Sequence, residues 1–308
     1  MIWFGWRQFR GAAITGSVVL VIAAAAMVIV GLRLRGAGDP AGYQSLIYAL
    51  DALIVVAPAV LGLFWGAPLV AKELETGTAA LVWSQSVTRR KWLAVKLAVV
   101  GAAGLITGSA MSLLLGWAAA PLDRVDQQRF TTVFFGTRGL VPAAYAIFAV
   151  LLGVTLGPLV RRTVPAMALT AVAFVVVQVL MPNVVRPHLL PPRTTAVPVT
   201  AAVVRGLTRL GREPTIGGLK IPGAWVISNS DLRTANDQRV AQEKYAECVN
   251  GPFDGIPECL GRLNLHVDIA YQPAGRYWAF QWLETAAYLV LAALLALIAG
   301  FRVTRVTG

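Results

Sequence analysis

The chain has 308 residues, 57% of them hydrophobic and only 14% charged, with a formal net charge of +12. A soluble domain carries roughly 25% charged residues, so a chain this apolar could not cover its surface against water. Its Lys and Arg gather at the ends of apolar runs, where anionic lipid favours them, and not in a stripe on a polar domain; nucleic acid is therefore excluded as a partner.

A membrane-spanning helix needs about 20 mostly apolar residues. The pattern predicts six, near residues 13–32, 46–70, 93–119, 139–160, 163–182 and 278–300. The runs are too long and too unalternating for barrel strands, and helices satisfy their own backbone groups in lipid. The first run is too long for the apolar core of a cleaved signal peptide and lacks a small-residue cleavage motif, so a retained span is expected. Before it, Trp3, Phe4, Trp6 and Phe9 alternate with Arg7 and Arg10, a pattern that suits either an interfacial stretch or the plain start of the span.

The second span holds Pro58 and Gly62-Leu63-Phe64-Trp65-Gly66. The third has Gly104, Gly108, Ser112 and Gly116 at four-residue spacing, and the fourth has Gly153 and Gly157. Small residues four apart let helices approach closely in lipid, here most simply within one bundle. Pro142 and Pro158 lie near the ends of the fourth span, where each removes a backbone donor. Arg161-Arg162-Thr163 leaves only a tight turn before the fifth span, in which Pro165 sits near the start. Asp51, Gln178 and Glu284 fall inside the second, fifth and sixth spans, where polar groups are costly. They predict either a polar vestibule along a substrate path or groups that snorkel or pair with an arginine such as Arg138 or Arg276.

Eleven basic residues (Arg7, Arg10, Lys72, Arg89, Arg90, Lys91, Lys96, Arg161, Arg162, Arg302 and Arg305) share one side, against five (Arg33, Arg35, Arg124, Arg129 and Arg138) in the opposite short loops. The richer side is expected to be cytoplasmic, with both termini inside and residues 183–277 outside. The two cysteines, Cys248 and Cys259, both fall in that outward segment, where a disulfide is expected. The segment itself reads as irregular and proline-rich over 183–198, then a short helix within 199–210, turns over 211–223, a strand at 224–228 and a helix over 231–248 capped by Asp231. Tyr277, Trp278, Phe280 and Trp282 anchor the start of the last span.

The predicted fold is an all-α polytopic membrane protein of six transmembrane helices, with a small mixed extracellular domain between helices five and six. Its parts are a membrane domain 1–182, an extracellular domain 183–277, and the sixth helix with a cytoplasmic tail, 278–308. His188 and His266 are the only histidines, and no cluster has metal-ligand spacing, so no metal site is expected. No nucleophile elbow and no phosphate loop is present, so the chain is not expected to be an enzyme or to bind ATP itself. The one substantial cytoplasmic loop is 72–92, in which Gly77 breaks a helix that Thr78 can restart through Trp83.

That loop carries a resemblance. Gly66-Ala67-Pro68-Leu69-Val70-Ala71-Lys72-Glu73-Leu74-Glu75-Thr76-Gly77-Thr78, followed by Leu81-Val82-Trp83-Ser84-Gln85-Ser86-Val87-Thr88-Arg89-Arg90-Lys91-Trp92, resembles the permease subunit of actinobacterial type-two ABC exporters. Tyr271-Gln272-Pro273-Ala274-Gly275-Arg276-Tyr277-Trp278 and Gln281-Trp282-Leu283-Glu284 look like that family's approach to its last span. The resemblance implies a bacterial plasma-membrane permease that pairs with a second permease, as homodimer or heterodimer, and with two ABC ATPase subunits that hold the ATP and Mg. It implies coupling to the ATPase through Glu73, Glu75, Gly77, Thr78, Trp83, Arg89 and Arg90, and export of a hydrophobic or amphipathic compound such as a drug, antibiotic or lipid. The alternative is a membrane sensor or assembly protein that binds a ligand through 183–277.

Overall fold

The computed structural model describes residues 18, 21–36, 40–77, 88–126, 129–207, 209–210, 214–219, 221 and 223–305. The chain divides into two compact units: residues 1–126, 131–186 and 278–308, and residues 127–130 and 187–277.

The first unit is helical. Residues 21–36 form α1. A 3-10 turn, Pro40–Tyr43, leads into α2, Gln44–Glu75. Then follow α3 (Arg89–Asp126), the short α4 (Thr132–Thr137), α5 (Val141–Val160), α6 (Thr163–Leu180) and α10 (Tyr277–Arg305). Five helices among the described residues are long and apolar enough to cross a membrane. The expected first span, 13–32, lies only partly within the described residues. Valines and leucines on the outer faces, such as Val164, Val172 and Leu113, stay exposed, as lipid-facing positions do.

The central helix is α5: 72% of its apolar window is buried, against 22% for α3, α6 and α10. It earns that place through small residues. An added Cβ on Gly153 would lie 2.4 Å from Gly62 O, one on Gly62 2.6 Å from Ala149 O, and one on Gly66 2.5 Å from Val150 O. The α2 and α5 backbones therefore touch directly. At that crossing α2 widens into a π turn, Gly62–Gly66, where the Ala67 N–H reaches back to Gly62 O. Gly108 of α3 packs somewhat less closely, with an added Cβ 2.9 Å from Ala143 Cα and Pro142 O, whereas Gly116 faces nothing within 4 Å. The α5–α6 hairpin closes through Arg161 in the left-handed region (φ 58), its N–H bonded to Gly157 O.

The second unit contains β1 (Arg193–Pro198), α7 (Ala201–Arg205), β2 (Arg209–Leu210), β3 (Ile216–Gly217), β4 (Trp225–Asn229), β5 (Arg233–Thr234), α8 (Gln242–Val249), α9 (Ile256–Arg262) and β6 (Leu265–Gln272). The antiparallel sheet runs β1-β6-β4, with β5 also on β6, and β2 pairs with β3 alone. Central β6 alternates: Leu265, Val267 and Ile269 are buried, while His266 and Asp268 are half-exposed. Thr200 caps α7 by accepting from the Val203 N–H. The Cys248–Cys259 disulfide joins α8 to α9.

Several local expectations change, among them the irregular stretch 183–198, whose last six residues form β1. The helix expected over 231–248 begins only at Gln242. Asp231 starts no helix; Leu232 N–H bonds Pro214 O, Thr234 N–H bonds Gln238 O, and Asp237 turns the chain at φ 60. These bonds bring Leu232 and Val240 into the unit's core, which outweighs the local helical preference. The stretch after Pro182 does not leave helical winding at once: a π turn, Met181–Val185, and a 3-10 turn, Arg186–His188, prolong α6. The wider turn spans the missing proline donor. Strand β6, absent from the sequence reading, becomes the sheet's centre.

Gly153→Ala should lower the detergent-solubilised protein's stability by about 1–3 kcal/mol through overpacking against α2, while Gly116→Ala leaves it unchanged; thermal unfolding of the two variants checks this.

Candidate functional site

The last helix binds its bundle with polar side chains. Gln281, Glu284 and Tyr288 recur every three or four residues on one face of α10, and all three are fully buried. Glu284 receives Arg186 twice, from Nε to Oε2 at 2.7 Å and from Nη2 to Oε1 at 3.0 Å. It also accepts from the Tyr145 hydroxyl at 2.7 Å. The Arg186 guanidinium lies 4.1 Å from the Phe135 ring centroid. The Tyr288 hydroxyl donates to Gln178 Oε1 at 2.8 Å, and its ring meets that of Tyr145 edge-on at 4.6 Å. Two turns further, Thr155 Oγ1 of α5 lies 2.9 Å from Leu295 O.

Gln281 closes the break between α4 and α5. Its Oε1 accepts from the N–H groups of Leu140 (2.9 Å) and Val141 (3.2 Å), and its Nε2 donates to Phe135 O and Arg138 O, both at 3.1 Å. All four hydrogen-bonding capacities of the amide are used on backbone groups that the helix ends leave open. Gly139 makes this possible. It has φ 81, and a Cβ there would lie 2.7 Å from Gln281 Oε1. On the opposite side Ser112 Oγ donates to Gly139 O at 2.9 Å.

Beside the break sits Asp51 of α2, fully buried. Its Oδ1 lies 2.5 Å from Thr137 Oγ1, and its Oδ2 3.5 Å from Arg138 Nη2. Arg138 Nη1 lies closer to Asp123 of α3, at 3.1 Å, with the guanidinium over the Phe134 ring.

The far end of α2 is tied differently. Glu73 Oε1 is 2.6 Å from Lys96 Nζ of α3, which also donates to Leu69 O and stands over the Trp92 ring. Glu75 Oε2 accepts from the Thr163 N–H (2.9 Å) and Oγ1 (2.6 Å), so a carboxylate of α2 caps the N-terminus of α6. Thr76 ends α2, and Gly77 follows at φ 72, a conformation that suits glycine. Arg89 and Arg90 open α3, Arg89 half-buried and Arg90 exposed. Thr78 and Trp83 lie outside the described residues.

In the second unit Asp237, His266 and Asp268 bring ligand atoms within 4.8 Å of one another. Arg233 stands among them, Nη1 2.8 Å from Asp237 Oδ1 and Nε 3.8 Å from Asp268 Oδ2, so these carboxylates face a guanidinium. Its hydrogen bond and charge hold the Asp237 carboxyl below the usual carboxylate range, as the Arg205 hydrogen bond does for Glu258.

The structure thus joins Gln178 to Glu284 through Tyr288 and Tyr145, and places Asp51 in a separate cluster. Asp51 meets Arg138. The partner of Glu284 is Arg186 and not Arg276, which donates instead to Pro191 O and Gln272 Oε1. Sequence reasoning passed over Arg186 because Pro182 was taken to end helical winding. It named Gln281 only within the resemblance at the start of the last span and gave it no role, although its position three residues before Glu284 marks the same helix face.

Residues 38–186 match the family model described as "ABC-2 membrane transporter related". The matched segment, a little under half of the chain, covers α2 to α6. No curated protein and no solved structure gives a match. The match suggests a transporter membrane subunit of ABC-2 permease type and, with the five apolar helices, supports a multi-pass membrane protein.

Glu284→Ala should cost about 3–5 kcal/mol, because it leaves the buried Arg186 charge unpaired. The double variant Arg186→Met/Glu284→Leu should regain most of that loss, as read by thermal unfolding in detergent.

Proposed function

We propose that the chain is the permease subunit of an ABC exporter, carrying a hydrophobic or amphipathic compound with energy from a separate ATPase. In this reading it supplies path and specificity and no chemistry; ATP and Mg are held by two ATPase subunits, and a second permease completes the path. In this reading, which the excess of Lys and Arg in one set of short loops supports, both termini and residues 72–92 face the cytoplasm of a bacterium and residues 183–277 face outward.

The observation that carries this reading is the pair of carboxylates on the last turns of α2. Glu73 ties α2 to α3 through Lys96, and Glu75 ties it to α6 through Thr163. Three helices are thereby joined where the loop after Gly77 leaves and Arg89 and Arg90 return. A push on the loop would pass into all three as a rigid-body displacement. The resemblance of the loop to type-two exporters and the family match over 38–186 support the same assignment. The first span, the exported cargo and the ATPase partner belong to this proposal.

Replacing Glu75 with alanine should reduce transport about tenfold, within the range of typical coupling energies, at normal expression and normal membrane insertion. Cells expressing the permease with its ATPase and assayed for export resistance report this. Unimpaired transport by Glu75→Ala would remove the coupling role.

A further inference from the structure

Strand β1 leaves one side of the second unit's sheet open. It is the end strand, paired with β6 in unbroken antiparallel register from Arg193 opposite Tyr271 to Pro198 opposite His266. The ladder continues with the Val199 N–H bonded to Leu265 O, so the odd-numbered residues of β1 direct their backbone groups to β6. The N–H and C=O groups of Thr194 and Ala196 therefore point away from the sheet. Both residues are exposed, as are Arg193 and Thr195. Sheets commonly blunt such an edge with a bulge, a charge or a proline. The opposite edge is blunted in this way, since β4 is bulged between Val226 and Ser228. Strand β1 has no bulge and no charge between Arg193 and Pro198, and its prolines, Pro192 and Pro198, stand only at its limits.

The open edge complements itself. Laid antiparallel on a second β1 with Thr195 opposite Thr195, each Thr194 faces an Ala196, and every outward N–H and carbonyl of these residues finds a partner. Sliding the pair by two residues would set one of those carbonyls against Pro192 or Pro198, which has no N–H to give. Arg193 falls opposite Val197 of the second copy, so no like charges meet. The bulge in β4 stops the sheet from propagating, and the contact closes as a two-fold pair. So short a ladder could not hold a free peptide, but it suffices between units already tethered side by side, where the effective concentration is high.

We propose that β1 is a docking edge for β1 of a second copy of this chain, joining the two sheets into one across a two-fold axis at Thr195. This pairing rests on the reading that a second permease completes the path. It adds that this permease is the same chain and that the two copies meet at this edge.

Cysteine cross-linking of the full chain in membranes tests it. Both native cysteines are in the Cys248–Cys259 disulfide, so an introduced cysteine reports alone. In the non-hydrogen-bonded pair on the axis the two Cα atoms lie about 4.5 Å apart, within reach of a disulfide. Mild oxidation should convert most of the Thr195→Cys protein to a covalent dimer, and little of Thr194→Cys or Ala196→Cys, whose side chains point to the other face and are offset from their counterparts. Adding Ala196→Pro, which removes an outward N–H that β6 does not use, should abolish the Thr195→Cys link. The mass of the unoxidised protein in gentle detergent separates this pairing from the reading beneath it. A dimer that gives no link at Thr195→Cys, that links equally at Thr194→Cys, or whose link survives Ala196→Pro would overturn the edge and leave the permease pair standing. A monomer without the link would overturn the edge and the pairing with a second copy alike.

Discussion

The Arg186–Glu284 pair is the contact on which the bundle depends. In lipid, apolar helices gain little by leaving hydrocarbon for one another, so association rests on close packing and on polar contacts. The close packing lies between α2 and α5, where Gly62, Gly66 and Gly153 bring backbones together. Helix α10 is held chiefly by its polar face: Gln281, Glu284, Tyr288 and the Leu295 carbonyl meet α4, α5 and α6 in turn. The bidentate Arg186–Glu284 pair, backed by the Tyr145 hydroxyl, is the strongest of these. Losing one partner would leave a charge with no water to solvate it.

The same logic orders the other polar groups. Gln281 satisfies the backbone ends that the α4–α5 break exposes, and Gly139 leaves it room. Ser112 and the Asp51–Arg138–Asp123 cluster grip the same break from α2 and α3. Helix α2 runs about 48 Å at 1.5 Å per residue, with Asp51 near one end and Glu73 and Glu75 at the other. Its π turn sits between them, at the glycine contact with α5. One element therefore makes polar contacts at both ends of the bundle.

Much of the membrane unit was legible in the sequence because its signals are coarse. Runs of twenty apolar residues resist misreading, and the predicted second, third, fourth, fifth and sixth spans each overlap a long helix. Glycines four apart and the Arg161-Arg162-Thr163 turn were equally plain. What escaped depended on partners distant in sequence. Arg186 lay behind a proline that ends most helices but here only widens the turn. Gln281 looks like one polar residue in an apolar span until the broken helix beside it is seen. In the second unit, residues 231–241 have helical composition, yet Leu232 and Val240 are drawn into the core by strand and turn bonds. The alternation of Leu265, Val267 and Ile269 was readable, but it lay next to the aromatic approach to α10 and was absorbed into it.

The most direct test of the account is co-purification in gentle detergent of this chain with a candidate ABC ATPase, reading stoichiometry and ATP turnover together. The account predicts a stable complex of two permeases and two ATPases that hydrolyses ATP. A folded permease that fails to associate with an ATPase active on its own would contradict it, and would move the functional site to the disulfide-bonded second unit.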